Sequence, residues 1–391
     1  MGRWLSRDRP YNFATMIRAK KQFLARAVTL VGSVALLAGC GMFSNASPPN
    51  PDRNASPTGG MNISEQTATP VPTPQFVKSV LLVAHLGEAS DATPAGLSWS
   101  GVKTAAAKIE ATATHIELAS NAELAADLER AATPSAALVV TVGTDASAAV
   151  AKAAAAHPAT QFLELDVTVD DSAPANVHGI VFDQAEAGYL AGYVAATFAA
   201  GGRVGIVGDT TSDPSAANYA AGLKAGASEA GTGNTVSVAY AGSADSPSKG
   251  RTAAAGLVKA GSNVIVATPS LSGIGALRQA CAAGAKLVAF ATDAWQTVPD
   301  VQSCLIASVL NRYDTAVSEA LATLAAGRSM PHQTIADVAS GGLSISDFHV
   351  DLPDGFQTKL NAVMGALANR TIASPGTIGL SVPTSSPVPV A

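Results

Sequence analysis

Short aliphatic runs recur along this chain: SVLLVAH from Ser79, ALVVTVG from Ala137, RVGIVGD from Arg203, NVIVATP from Asn263 and KLVAFATD from Lys286. Alanine-rich stretches such as SAAVAKAAAAH and GALRQACAAGA separate them. This alternation constrains the fold more than any other feature. Continuous, β-branched apolar runs fit strands buried on both faces, which requires a parallel sheet with helices on either side, and the alanine-rich stretches supply the crossovers that parallel strands need. The chain therefore reads as α/β, each sheet doubly wound and parallel. In such sheets a ligand binds beyond the carboxyl ends of the strands. Those ends read His85-Leu86-Gly87-Glu88, Gly143-Thr144-Asp145, Asp166, Gly208-Asp209-Thr210, Pro269-Ser270-Leu271-Ser272 and Thr292-Asp293. Small and polar residues there leave room for a ligand and offer it hydrogen bonds, although they also suit plain turns.

The folded region, about 77–365, is long for one domain and suits two of about 140 residues. Ahead of it, Arg18, Lys20, Lys21 and Arg26 precede 13 uncharged residues, Ala27–Gly39. That run is too short for a spanning helix, which needs about 20 apolar residues, and basic, apolar and small segments in this order describe an export signal. Leu37-Ala38-Gly39-Cys40 resembles the bacterial lipobox, so residues 1–39 are expected to be a lipoprotein signal peptide and Cys40 the acylated residue. An ordinary signal peptide with an incidental cysteine is the alternative, and the long basic lead also fits initiation at Met16. Residues 40–76 carry seven prolines and hardly any apolar periodicity. They are expected to form a disordered linker spanning about 30–35 Å as a flexible coil, and the proline-rich residues 366–391 a disordered tail.

Charge and motifs exclude several function classes. The chain has a formal net charge of −5, and since residues 1–39 carry +6, the remainder carries −11. An acidic exported chain is a poor partner for nucleic acid, which demands a basic surface. SLSGIGALRQA follows a strand and opens a helix but lacks the third glycine of a dinucleotide fingerprint, and no Gly-x4-Gly-Lys-Ser/Thr occurs. The histidines at 85, 115, 157, 178, 332 and 349 are scattered, without metal-ligand spacing. No Gly-x-Ser-x-Gly elbow is present. No catalytic residues, cofactor or metal are expected, and the chain is not expected to be an enzyme.

Four blocks carry a family resemblance: VHGIVFDQAEAGYLAGYVAA, GRVGIVGDTTSDPSAANYAAGLKAGA, YAGSADSPSKGRTAAAGLVKAGSNVIVATPSLSGIGALRQACAAGAKLVAFATDAWQ and CLIASVLNRYDTAVSEAL. From about Ser79 to Leu343 the sequence resembles the basic membrane protein (BMP) family of lipoproteins, purine-nucleoside-binding members of the type I periplasmic-binding-protein fold. The resemblance implies two lobes joined by three crossings, with 77–183 and 303–328 in lobe one and 184–302 and 329–365 in lobe two. It also implies a solute-binding protein of an ABC transporter, lipid-anchored at the extracytoplasmic face of the membrane, which closes on a nucleoside or sugar-like ligand and hands it to the permease. A membrane-anchored sensor that signals to a membrane partner is the alternative.

The same resemblance implies the ligand set. Asp293 matches an aspartate that grips ribose hydroxyls, Asp166 a strand-end aspartate, and Ser270 to Gly273 a glycine-rich loop beside the ligand. The family's first loop, Asp-x-Gly-Phe-Asn-Asp, is here HLGEASDATPAGLSWSG, where Asp91 stands in for one acid and Trp99 offers an aromatic face. Thr144 and Trp295 complete the candidates, together with Asn311, where the family often has lysine. Ala244 replaces an expected stacking ring, leaving Trp99, Tyr240 and Trp295 as candidate aromatic planes.

Cys281 and Cys304 remain. Outside the cytoplasm such a pair tends to oxidise, and both lie at ends that face the same edge of an α/β layer. A disulfide is expected, the alternative being two separate buried small hydrophobes.

Overall fold

The computed structural model describes residues 79–85, 93–118, 121–132, 138–211, 214–373 and 375. Cys40, the signal and linker segments, Asp91 and residues 376–391 lie outside the described residues. The first half of the fold runs β1 (Ser79–His85), α1 (Pro94–Lys108), β2 (Thr112–Leu118), α2 (Asn121–Ala131), β3 (Leu138–Val142), α3 (Ser147–Ala156), β4 (Gln161–Leu165) and β5 (Val177–Phe182). The second runs α4 (Gln184–Ala199), β6 (Arg203–Gly208), α5 (Pro214–Glu229), β7 (Thr235–Tyr240), α6 (Pro247–Lys259), β8 (Ser262–Ala267), α7 (Leu271–Ala282), β9 (Lys286–Ala291) and α8 (Ala294–Thr297). After these come β10 (Leu305–Asn311), α9 (Tyr313–Ala325), β11 (Gln333–Ala336), β12 (Leu343–Ile345) and α10 (Phe356–Ala368).

The strands form two six-stranded sheets, ordered β2-β1-β3-β4-β5-β11 and β7-β6-β8-β9-β10-β12. Every pairing is parallel except β10 with β12. The alternation of side chains along a strand divides the core between the two faces of each sheet. In the second sheet Val204, Ile206, Val264, Val266, Val288 and Phe290 pack on the side of α4 and α5, whereas Ile265, Ala267, Leu287 and Ala289 pack on the side of α6 and α7. Burial on both faces is why these strands read as unbroken apolar runs.

The chain crosses between the sheets three times: at Asp183 after β5, at Arg312 after β10, and over 337–342 between β11 and β12. Two of these crossings differ from expectation. Residues 303–328 were assigned to lobe one, but β10 pairs with β9 in the second sheet, and only α9 returns, to pack on α1. Residues 329–365 were assigned to lobe two, but β11 extends the first sheet beside β5. The reason is ladder pairing: β10 is an apolar run that either sheet could bury, and it takes the open edge of β9, the strand just before it, in place of crossing to the first sheet. The chain is also ordered beyond 365, because α10 continues to Ala368 and Arg370 pairs with Glu186 and Asp337.

Helix α4 is apolar around nearly its whole circumference and is buried between the second sheet and α5, as a helix without a polar face must be. Among the described residues no helix is long and apolar enough to cross a membrane. Cys281 and Cys304 are joined as a disulfide with Cα atoms 5.5 Å apart, tying α7 to the turn that precedes β10.

Candidate functional site

Strand ends from both sheets meet near the crossings. Asp166 follows β4 with φ of 60°, and Phe182 ends β5. From the second sheet come Asp209 after β6, Thr268 after β8, Ala291 at the end of β9 with φ of 68°, and Asn311 at the end of β10. With Tyr219 of α5 and Tyr313 at the start of α9, these residues line a cavity of about 320 Å³. An alanine in the left-handed region is strained by about 1–2 kcal/mol, and such strain collects at binding sites.

A chain of hydrogen bonds organises this wall. The Tyr313 hydroxyl donates to Asp166 Oδ2, and the Asn311 side chain lines the same wall and holds the phenol down slightly. Tyr313 stands edge-on to Phe182, with ring centroids 4.7 Å apart, and Tyr219 lies against Phe290 at 4.6 Å. Burial pushes the Asp166 carboxyl up to about 6, and the Tyr313 hydroxyl partly offsets that. Burial, followed by the Asp166 charge, pushes the Tyr313 phenol up as well. Two buried polar atoms of wall residues, Asn311 Oδ1 and Tyr219 Oη, have no hydrogen-bond partner among the described residues. Asp209 Oδ1 accepts from Ser270 Oγ, which also caps α7 by accepting the Gly273 N–H at 2.9 Å.

A second cavity of about 380 Å³ shares Asn311 with the first and adds Asp293, Arg312, Asp347 and Leu97 of α1. Its one basic group, Arg312, is engaged by Asp314 through two hydrogen bonds of 2.9 and 2.8 Å. Asp293 caps α8, with Oδ1 accepting from the Trp295 N–H at 3.1 Å and from Ser308 Oγ at 3.3 Å.

Of the residues named from sequence, Asp166 and Asn311 thus share one cavity, Asp293 and Asn311 the other, and Ser270 stands behind the first through Asp209. Gly273 serves packing, since a Cβ there would lie 1.7 Å from the Thr268 carbonyl oxygen. Trp99 stacks on His115 at 5.5 Å, Trp295 stacks on His349 at 3.6 Å, and Thr144 is exposed at the start of a short 3-10 turn. These three are not on the walls of the two cavities. The aromatic rings that are on the first wall, Phe182, Tyr219, Phe290 and Tyr313, were not among the candidates. The strand-end rule applied to VHGIVFD points to Phe182. Nothing local marks Tyr219, which sits inside a helix, or Tyr313, whose role depends on an aspartate 147 residues away.

Two doubly wound sheets, three crossings and a polar cleft where strand ends meet define a two-lobed α/β fold. Solved structures share this fold: an ABC transporter solute-binding protein from Aeropyrum pernix K1 is 21% identical with a TM-score of 0.58, covering 75% of this chain and 92% of its own. One from Conexibacter woesei is 22% identical with a TM-score of 0.63, covering 77% and 100%. A transcriptional activator of the comK gene from Bacillus halodurans, 14% identical, superposes with a TM-score of 0.64 over 75% of this chain and 98% of its own. No curated protein sequence matches the chain. Residues 78–374 match the Bmp model, described as ABC transporter substrate-binding protein PnrA-like, and the chain belongs to that family. It is a solute-binding protein of the ABC transporter class, not an enzyme.

Proposed function

We propose that this protein captures a small hydroxylated solute, a nucleoside, between its lobes and delivers it to an ABC permease, held at the extracytoplasmic face of the membrane by lipid on Cys40. The observation that carries the ligand reading is Asp166, a strand-end carboxylate on the wall of a cavity that four aromatic rings also line. A carboxylate accepts charge-assisted hydrogen bonds from hydroxyl or ring N–H donors, and aromatic rings give a base or sugar an apolar face. The cavity's 320 Å³ falls within the range of about 300–1,000 Å³ usual for small-molecule sites. The three crossings are the natural hinges for closure around the ligand. Lipid anchoring rests on Leu37-Ala38-Gly39-Cys40 at the end of the export signal.

Mass spectrometry of the small molecule released on denaturing the purified protein tests the ligand reading, with a nucleoside expected. Calorimetry should then show Asp166→Asn losing about 1.5–3 kcal/mol of affinity, roughly 10- to 150-fold. If nothing is released and no common nucleoside or ribose gives binding heat, the reading is wrong. Labelling with a fatty-acid analogue should disappear in Cys40→Ala; persistent label would place the anchor elsewhere.

A further inference from the structure

We propose that Tyr313 is a positioning residue that sets the hydrogen-bond polarity of the cleft, presenting the Asp166 carboxylate and the Asn311 amide oxygen to the ligand as paired acceptors and so selecting neutral ligands that offer donors. The proposal rests on the reading of this cavity as the ligand site. A phenol has one proton to donate, and here it goes to Asp166 Oδ2. The phenol oxygen is left able only to accept, and the Asn311 side chain that influences it can offer only its amide N–H. This favours the amide orientation with Nδ2 towards Tyr313 and Oδ1 away from it.

Asn311 is only 3% exposed, and its Oδ1 has no hydrogen-bond partner among the described residues. A buried acceptor left without a donor is unfavourable, so the donor is expected from the ligand. Asp166 Oδ1 is likewise free of protein donors among the described residues, Oδ2 being the oxygen that Tyr313 occupies. The Tyr313 ring is itself buried and braced edge-on by Phe182, which keeps the phenol from swinging away. The titratable groups on the wall are Asp166, Asp209, Tyr219 and Tyr313, and no lysine, arginine or histidine is among the lining residues. Arg312, on the neighbouring cavity, is already bound by Asp314. Among the described lining residues an anionic ligand would meet two carboxylates and no free cation.

Calorimetry on the intact protein with adenosine, D-ribose and adenosine 5′-monophosphate, from about pH 5 to about pH 8, tests this. Adenosine or ribose should bind, and the monophosphate should bind at least about tenfold more weakly than adenosine. Affinity for the neutral ligand should fall as Asp166 protonates, below about 6. Tyr313→Phe keeps the ring but removes the hydroxyl that holds the carboxyl down. It should lose about tenfold in affinity, and its acid limb should move to higher pH. Asn311→Leu conserves volume and deletes the unpartnered oxygen, so it should lose affinity while melting no lower than the parent; a purely structural asparagine would do the reverse. If Tyr313→Phe does not fold, Asn311→Leu decides. If neither adenosine nor ribose binds the parent, the ligand reading falls and this proposal with it. If they bind and the folded variants keep the parent's affinity and pH profile, only the role of Tyr313 is overturned. Equal binding of monophosphate and adenosine would overturn the selection of neutral ligands.

Discussion

Asp293 both caps α8 and lines the second cavity. Its Oδ1 is the cap of α8, accepting from the Trp295 N–H and from Ser308, while Oδ2 accepts only from the exposed Gln296 side chain at 3.3 Å. The carboxylate also lines the second cavity, opposite Leu97 of α1. Capping and ligand binding are therefore compatible, since an ionised carboxylate accepts at both oxygens. Asp293→Asn preserves Oδ1 and hence the cap, whereas replacing Oδ2 with an amine removes one acceptor. The thermal melt should stay close to the parent's, and affinity for a hydroxylated ligand should fall by about 1.5–3 kcal/mol. Unchanged affinity by calorimetry in the folded variant would leave Asp293 as a helix cap alone.

Glycine spacing governs how closely the helices approach. In α4 Gly188 and Gly192 are four residues apart, as are Gly222 and Gly226 in α5, so each pair lies on one face of its helix. A Cβ at Gly222 would lie 1.9 Å from the Ala185 carbonyl oxygen, and one at Gly192 would lie 2.0 Å from that of Leu223. No side chain can yield there, because the obstacle is backbone. Gly222→Ala must push the helices apart, at an overpacking cost of about 1–3 kcal/mol and a melting temperature lower by roughly 2–4 °C per kcal/mol. Gly256, exposed in α6 with nothing within 4 Å of a built Cβ, is the matched control. Its change to Ala should stabilise by about 0.5–1 kcal/mol through lower backbone entropy in the unfolded chain. Equal melts for the two variants would refute the close-packing account. Tyr219, on the wall of the first cavity, sits in the same interface, where its carbonyl oxygen lies 2.1 Å from a Cβ built at Gly188. Helix spacing therefore bears on the site.

At the scale of the whole molecule, one charge network ties two of the three crossings to the C-terminal helix. Asp183 stands at the first crossing and Asp337 at the third, and Glu186 accepts the Val338 N–H at 2.9 Å. Arg370, just beyond α10, bonds both Glu186 and Asp337. Burial raises the Glu186 carboxyl to about 7; the Asp183 and Asp337 charges add to the rise, whereas the Val338 N–H and the Arg370 charge oppose it. A carboxyl raised from 4.5 to about 7 on folding holds more protons folded than unfolded. Its contribution is complete below the unfolded value and is lost as pH rises through the folded one. Glu186→Gln should therefore flatten the fall in melting temperature between about pH 4.5 and about pH 7. Asp166, raised from 3.8 to about 6, adds a slope of the same sign over a lower range, so the difference between parent and variant isolates Glu186. Parallel melting curves would remove Glu186 from the pH response.

Local periodicity determined much of this protein by itself. Whether a run is buried on both faces is a property of its own residues, so the parallel sheets, the alternating helices and the strand end bearing Asp166 could all be read along the chain, whereas Asn311 came only from the family resemblance. The tertiary structure alone decided which sheet Leu305–Asn311 joins, because an apolar strand satisfies its ladder equally well in either and the choice lies with β9. It alone showed that Trp99 and Trp295 stack on histidines and do not line the two cavities, whereas Phe182, Tyr219, Phe290 and Tyr313 line the first. A tryptophan's apolar surface is buried equally well in a core or a cleft, and sequence does not separate the two. The pairing of Tyr313 with Asp166 spans 147 residues. No periodicity records a contact of that length; it exists because two crossings bring the end of β4 and the start of α9 to the same wall.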